Sequence, residues 1–195
     1  MRTHVALLRG INVLGRNKVA MTDLRDIVAG LGHREVTTYI QSGNVVFAAS
    51  GSANDDSALA ETLEAAVAAK VGVRPAVVVL SRAQLHGVVS ANPFRQVIDP
   101  RTLHAVFLRE TPSADGIAAV TAAVDRAREK GSRDDARVIG RTLYLWTPEG
   151  FASSVLRREL DRGGKLRTPM HTGTARNWAT VKTLMSLLEH EGEGE

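Results

Sequence analysis

The stretch EVTTYIQSGNVVFAA, residues 35–49, decides how the first half of the chain is read. Glu35–Gln41 is β-branched and aromatic, which suits a pleated, half-buried strand. Ser42-Gly43-Asn44 supplies turn residues, and Asn44–Ala49 is a second apolar run returning from the turn. The stretch is therefore a hairpin. Working outward, Leu24, Ile27, Val28 and Leu31 stand at helical spacing over Asp23–Leu31, with Thr22 as the expected cap and Gly32 as the stop. Before that helix, residues 4–11 (HVALLRGI) form a strand. After the hairpin, Gly51–Ser57 is a polar loop, and Leu59, Leu63, Val67 and Val71 mark a helix ending at Gly72. Pro75–Leu80 (PAVVVL) is a fourth strand. The order strand, helix, hairpin, helix, strand is the split βαβ or ferredoxin-like unit.

The pattern recurs. Ser81 and Gln84 have capping-box spacing for a short helix to about Ala91, and Asn92-Pro93 breaks it. Leu103–Arg109 is a strand, and Ser113 caps a helix through Lys130. Arg137–Ile139 and Thr142–Thr147 form a hairpin around Gly140-Arg141, followed by a helix over Ser153–Leu160. The last strand is expected to be missing, or reduced to a few residues near Leu166–Met170. A final helix is expected from Ala175 to about Leu188. The fold class that follows is α+β: two tandem ferredoxin-like (βαββαβ) subdomains, the second incomplete, plus a C-terminal helix. The boundaries are 1–80 for the first subdomain, 81–101 for a linker helix and loop, 102–173 for the second subdomain, and 174–195 for the helix and an acidic tail.

The bulk numbers narrow the function classes. The 195 residues contain no cysteine, which excludes disulfides, thiol nucleophiles and Cys-based metal sites. Arg2 and His4 interrupt any leader-like apolar run, and no stretch approaches the roughly 18 apolar residues of a membrane span. The expectation is a cytoplasmic protein without a membrane partner. Net charge is +4, but four of the 21 acidic residues lie in the tail from Glu189 to Glu195. The rest of the chain carries 25 bases against 17 acids, or +8. A basic body favours anionic partners: nucleotides, phosphorylated metabolites or nucleic acid. Most of the bases are Arg in an Ala-rich chain, a balance that a GC-rich genome also gives. The sequence sets no oligomeric state.

Topology then places the candidate site. With the sheet order 4-1-3-2, the end of strand 1, the 2–3 hairpin, the start of strand 4 and the start of the first helix share one edge. Arg9, Asn12, Asn17, Lys18, Gln41, Ser42 and Asn44 gather there, with Arg16 and Arg74 beside them and Asp23 opposing. Helix amides and cations on one edge suit an anion. Asn and Gln side chains both donate and accept, so they can orient it. Gly and Asn are also ordinary turn residues, so each one taken singly reads as structure. A second candidate is Arg176 and Asn177, read as the first turn of the last helix behind a cap at Thr172 or Thr174. Tyr144 and Trp146 alternate onto one sheet face like a stacking platform, although such residues are more often core.

Three stretches, VALLRGINVLGRNKVAM, YIQSGNVVF and TARNWATV, resemble the bacterial family called domain of unknown function 1697. Its motifs LLRGINVGG-x-N, TYIQSGNV and T-x-RNW-x-T-V map onto Leu7–Asn17, Thr38–Val45 and Thr174–Val181. The resemblance spans the chain and implies two ferredoxin-like subdomains. It implies no activity, substrate or catalytic residue. Leu14 departs from it, standing where the family has the first of two glycines.

No standard catalytic motif is present. Nucleophile elbow, P-loop, HExxH and Rossmann fingerprint are all absent. Gly163-Gly164-Lys165 lacks the Walker spacing. Six scattered histidines offer no metal-ligand spacing, so neither metal nor cofactor is expected. Ser42 lacks a recognisable base and reads as a turn hydroxyl. Three functions follow in order: a binder of a small anion, a nucleic-acid-binding module, and an enzyme on an anionic substrate with His171 or another His as acid–base group.

Overall fold

The computed structural model describes residues 1–13, 15–50, 55–162 and 168–189. Leu14, most of the polar loop at 51–57, Gly163–Arg167 with Leu166, and the tail from His190 lie outside the described residues. The chain divides into two compact units, Met1–Gly87 with Lys182–Glu195, and Val88–Val181. Its fold is α+β, with two four-stranded antiparallel sheets and six α-helices among the described residues.

In the first unit, β1 (His4–Leu8), β2 (Arg34–Tyr39), β3 (Asn44–Ala48) and β4 (Val77–Ser81) form a sheet in the order β2-β3-β1-β4. The Thr38–Val45 and Tyr39–Asn44 pairs set the hairpin register. A bulge follows Arg34, where Glu35 takes a left-handed φ of 51°. Helices α1 (Met21–Gly30) and α2 (Asp56–Val71) cover one face. Ala6, Leu8, Val45, Phe47, Val77 and Val79 meet Leu24, Val28, Leu59, Leu63 and Val67 in one core. Each fully buried Val, Leu or Phe contributes about 1.5–3 kcal/mol. The alternate residues Val5, Leu7, Val46, Val78 and Leu80 are buried as well, as strands apolar on both faces require.

Local signals explain the boundaries. Gly72 takes the left-handed cap of α2 at φ 71°. The capping box of α3 (Arg82–Ser90) is made as expected: Ser81 N–H donates to Gln84 Oε1 at 2.9 Å, and Gln84 N–H to Ser81 Oγ at 3.3 Å.

In the second unit, β5 (Leu103–Phe107), β6 (Asp135–Ile139), β7 (Thr142–Trp146) and β8 (Thr174–Asn177) take the order β6-β7-β5-β8. The fourth strand is therefore present, which corrects the expectation of an incomplete second half. It pairs with β5 through Phe107–Thr174 and His104–Asn177, later in the chain than Leu166–Met170. Pro169–His171 is a short 3-10 helix instead. Helix α6 (Trp178–Glu189) starts three residues later than Ala175, because 174–177 belong to the sheet. Helices α4 (Ala114–Glu129) and α5 (Val155–Asp161) supply Val120, Val124, Leu156 and Leu160 to a core with Val106, Leu143 and Leu145. On α5, Glu159 is 2% exposed and held by Arg126, Lys130 and Arg162.

Tyr144 is 1% exposed, and its hydroxyl donates to Val88 O at 2.8 Å. Burial pushes its pKa up to about 12. It is a core residue, not an exposed stacking platform. Among the described residues no helix is long and apolar enough to cross a membrane.

Candidate functional site

Four segments meet at one corner of the first sheet. Leu8 N–H donates to Gly43 O at 2.8 Å, joining β1 to the β2–β3 turn. Arg9 N–H donates to Ala76 O at 2.9 Å, joining it to the approach of β4. Gly43 has φ +75°, and a Cβ there would lie 2.8 Å from Leu8 Cβ and 2.9 Å from Ile11 Cδ1. Only glycine fits so close an approach in that conformation.

The loop over residues 9–20 is built by its asparagines. Asn12, at φ 54°, donates through Nδ2 to Val19 O at 2.9 Å and Gln41 O at 3.0 Å. Its Oδ1 accepts from Val19 N–H at 2.9 Å. One side chain thus ties both arms of the loop to the hairpin. Asn17, at φ 50°, donates from Nδ2 to Gly10 O at 2.9 Å. Asn44 is fully buried and donates to Tyr39 O and Ser42 Oγ at 3.0 and 2.9 Å. Asn and Gly tolerate these left-handed positions, which explains why they crowd the sequence here. Ile40 has no such tolerance, yet adopts φ 47° in the same turn and is 52% exposed.

A cavity of about 540 Å³ opens at this corner, lined by Asn12, Gly15, Lys18, Ala20, Thr22 and Gln41 among others. It sits over the first turn of α1. The N-cap is Ala20, not Thr22, since the helix begins at Met21. No side chain among the described residues caps it. The other five helices each have a side-chain acceptor on an early amide: Asp55 for α2, Ser81 for α3, Ser113 for α4, Ser154 for α5 and Asn177 for α6. The start of α1 therefore presents amides that no side chain of the described residues caps, next to the Lys18 ammonium. Asp23 in the same turn works against an anion.

Of the residues expected at the site, Asn12, Lys18 and Gln41 line the cavity. Arg9, Asn17, Ser42 and Asn44 belong to the same corner, with the Asn17 and Asn44 amides engaged in holding it. Arg9 and Asn17 are exposed, while Ser42 is half-buried.

Arg176 and Asn177 belong to the second unit, and their expected setting is corrected. Arg176 lies on β8 opposite Ala105, so the argument from a first helical turn does not apply to it. It is 8% exposed, donates from Nη1 to Thr174 Oγ1 and Ala175 O, both at 2.8 Å, and burial lowers its pKa to about 10. Asn177 Oδ1 accepts from Thr180 N–H at 2.8 Å and so caps α6. His171 ends the 3-10 helix, with Nδ1 3.4 Å from Thr168 Oγ1. Among the described residues no cluster of His, Asp or Glu could hold a metal ion.

The second unit has a corner built on the same plan. Leu108 N–H donates to Arg141 O at 3.0 Å, as Leu8 does to Gly43. A cavity of about 390 Å³ lies there, lined by residues including Arg109, Glu110, Ser113, Thr168 and Thr172. Here Ser113 Oγ accepts from Gly116 N–H at 3.1 Å and closes the helix start.

The conserved bacterial protein SP0830 from Streptococcus pneumoniae has a similar structure, with a TM-score of 0.71 at 23% identity over 96% of this chain and 98% of that one. At that identity the likeness is one of fold. No curated protein matches the chain. The sequence pattern of the family described as "Protein of unknown function (DUF1697)" matches residues 1–144, well over half the chain. The chain therefore belongs to the DUF1697 family.

Proposed function

We propose that the chain is two tandem ferredoxin-like units, of which the first binds a small anion. The ligand class is a nucleotide or a phosphorylated metabolite, seated over the first turn of α1. One observation carries the reading: among the described residues α1 is the one helix of six without a side-chain cap, and its start opens into a cavity edged by Lys18, Asn12 and Gln41. Phosphate oxygens would accept from the amides of Met21 and Thr22 and pair with Lys18. Asn12 holds the loop that forms the cavity wall, and Gln41 offers an amide at its rim. An anion at a helix start is worth about 0.3–1 kcal/mol when exposed and up to about 2 when partly buried. Lys18 and the +8 body would add to that.

The test is thermal unfolding with inorganic phosphate, nucleoside mono- and triphosphates, and sugar phosphates, run on wild type and Lys18→Ala. A ligand at a hundredfold excess over its Kd stabilises by about 2.7 kcal/mol. For a chain of this size that raises the melting temperature by roughly 5–10 °C. Lys18→Ala should remove most of the rise. If no anion raises the melting temperature of the wild type, the reading fails.

A further inference from the structure

The opposite end of β1 borders a second and larger cavity, about 760 Å³, whose lining includes Thr3, His4, Asp56, Arg82, Gln84 and Met185. Its polar wall holds two hydrogen-bonded groups, Ser81–Gln84–Asp56 and Thr3–His4, that face each other across an ion-pair distance. Ser81 N–H donates to Gln84 Oε1 at 2.9 Å, and Gln84 Nε2 donates to Asp56 Oδ2 at 2.5 Å. Asp56 Oδ1 faces His4 Nε2 at 3.8 Å. His4 Nδ1 lies 2.8 Å from Thr3 Oγ1.

The partners are compatible with an arrangement in which the Thr3 hydroxyl donates to His4. Ala49 N–H donates to Thr3 Oγ1 at 3.0 Å, which occupies an acceptor position on that oxygen. The Thr3 hydroxyl proton is then free to point at His4 Nδ1, leaving the imidazole proton on Nε2, toward Asp56. Thr3 itself is held from both sides. Its N–H donates to Phe47 O at 2.9 Å, and its carbonyl accepts from Arg82 N–H at 2.8 Å. The residue is nonetheless exposed. Arg82 Nε is buried and donates to nothing among the described residues, so this wall also carries an unused cationic donor.

We propose that Thr3, His4 and Asp56 form a hydroxyl–imidazole–carboxylate relay, and that this cavity is an acyl-transfer site for small carboxylic esters. Thr3 Oγ1 is the nucleophile, His4 is the general base, and Asp56, held by Gln84, is a positioning residue. In the first step the Thr3 oxygen bonds to the ester carbonyl carbon while His4 Nδ1 takes the hydroxyl proton. The ester C–O bond breaks, and His4 returns that proton to the leaving alcohol. In the second step water attacks the acyl-threonine and gives a proton to His4. The acid departs as the bond to Thr3 breaks, and the proton returns to the threonine oxygen. The sum is ester plus water giving acid plus alcohol. Burial keeps His4 below the ordinary imidazole value, with Asp56 offsetting this in part, so the ring is a free base at neutral pH. The other titratable or charged groups around it are His33, which shares the Phe47 ring with His4, and Met1, Arg82, His86 and Glu189 on the cavity wall. The site is at the far end of β1 from the anion corner, and neither proposal depends on the other.

The test is exposure of the full chain to p-nitrophenyl acetate, following release of the chromophore and locating the acetyl adduct by peptide mass spectrometry. The expected result is an adduct on Thr3 that is absent in Thr3→Val, kept in Thr3→Ser and formed at least about 100-fold more slowly in His4→Gln. Asp56→Asn should slow it and move the pH midpoint of the rate downward, since Asp56 raises the His4 pKa. A loss of packing alone would leave that midpoint in place. Retention of activity by Thr3→Ser separates a failed fold from a failed nucleophile. An adduct on another residue, no adduct on the wild type, or an unchanged rate in His4→Gln would overturn the proposal.

Discussion

The two units present the same corner in two states. In both, a leucine at the end of the first strand or just past it donates its N–H across to the hairpin turn: Leu8 to Gly43 and Leu108 to Arg141. In both, a helix starts beside that turn over a cavity. The difference lies in the connection. In the second unit, residues 108–113 make a short link ending at Ser113, whose hydroxyl caps α4. In the first, Asn12 and Asn17 fold a longer connection that ends at Ala20, with no capping side chain among the described residues. A short connection closes its helix with its own chemistry. A long one leaves amides open and lays a cation next to them. The same framework thus serves as structure in one half and as a candidate receptor in the other.

The comparison can be broken most severely at the glycines that let segments approach. Gly43→Ala adds a left-handed penalty to a 2.8 Å clash with Leu8, and should cost about 3 kcal/mol. Gly173→Ala should cost about 2–3 kcal/mol, because its Cβ would meet Val106 Cγ1 at 2.3 Å and Phe107 O at 3.0 Å. Urea unfolding of both variants checks these figures, and a loss under 0.5 kcal/mol for either would contradict the packing described. Next comes Asn12→Ala, which removes three hydrogen bonds to backbone groups and places alanine at φ 54°. A loss of about 2 kcal/mol is expected, with no phosphate-induced stabilisation left.

The cap exchange sharpens the contrast with smaller effects. Ser113→Ala should cost about 1 kcal/mol, since α4 loses its hydroxyl acceptor. Ala20→Asp should stabilise the protein by about 0.5–1 kcal/mol, by supplying the acceptor that α1 lacks. The same substitution should abolish the response to phosphate, because a carboxylate would occupy the amides. An Ala20→Asp protein that still gains stability from phosphate would place the anion elsewhere.

Most of this architecture is legible in the chain because its signals are local. The Ser81–Gln84 box, the Ser113 cap and Gly72 act within a few residues, and each appears where its spacing puts it. Strand β8 is not legible. Thr-Ala-Arg-Asn has no apolar alternation and runs straight into a helical pattern, and only pairing with β5 makes it a strand. The start of α1 misleads for a related reason. Thr22 has the better capping side chain, but Asn12 pins Val19 and sets where the helix can begin. The Asn-rich corner is readable from topology. The Thr3–His4–Asp56 wall is not, because sheet pairing and the start of α2 bring those residues together without any spacing rule.

The last helix has a consequence for biosynthesis. It leaves the second unit at Val181 and completes the first from Lys182 onward, where Arg2 Nη1 donates to Leu187 O at 3.1 Å. The unit translated first is therefore short of a native wall until residues 182–189 have emerged. A nascent chain arrested near residue 100 should remain protease-sensitive, whatever its sheet has already achieved.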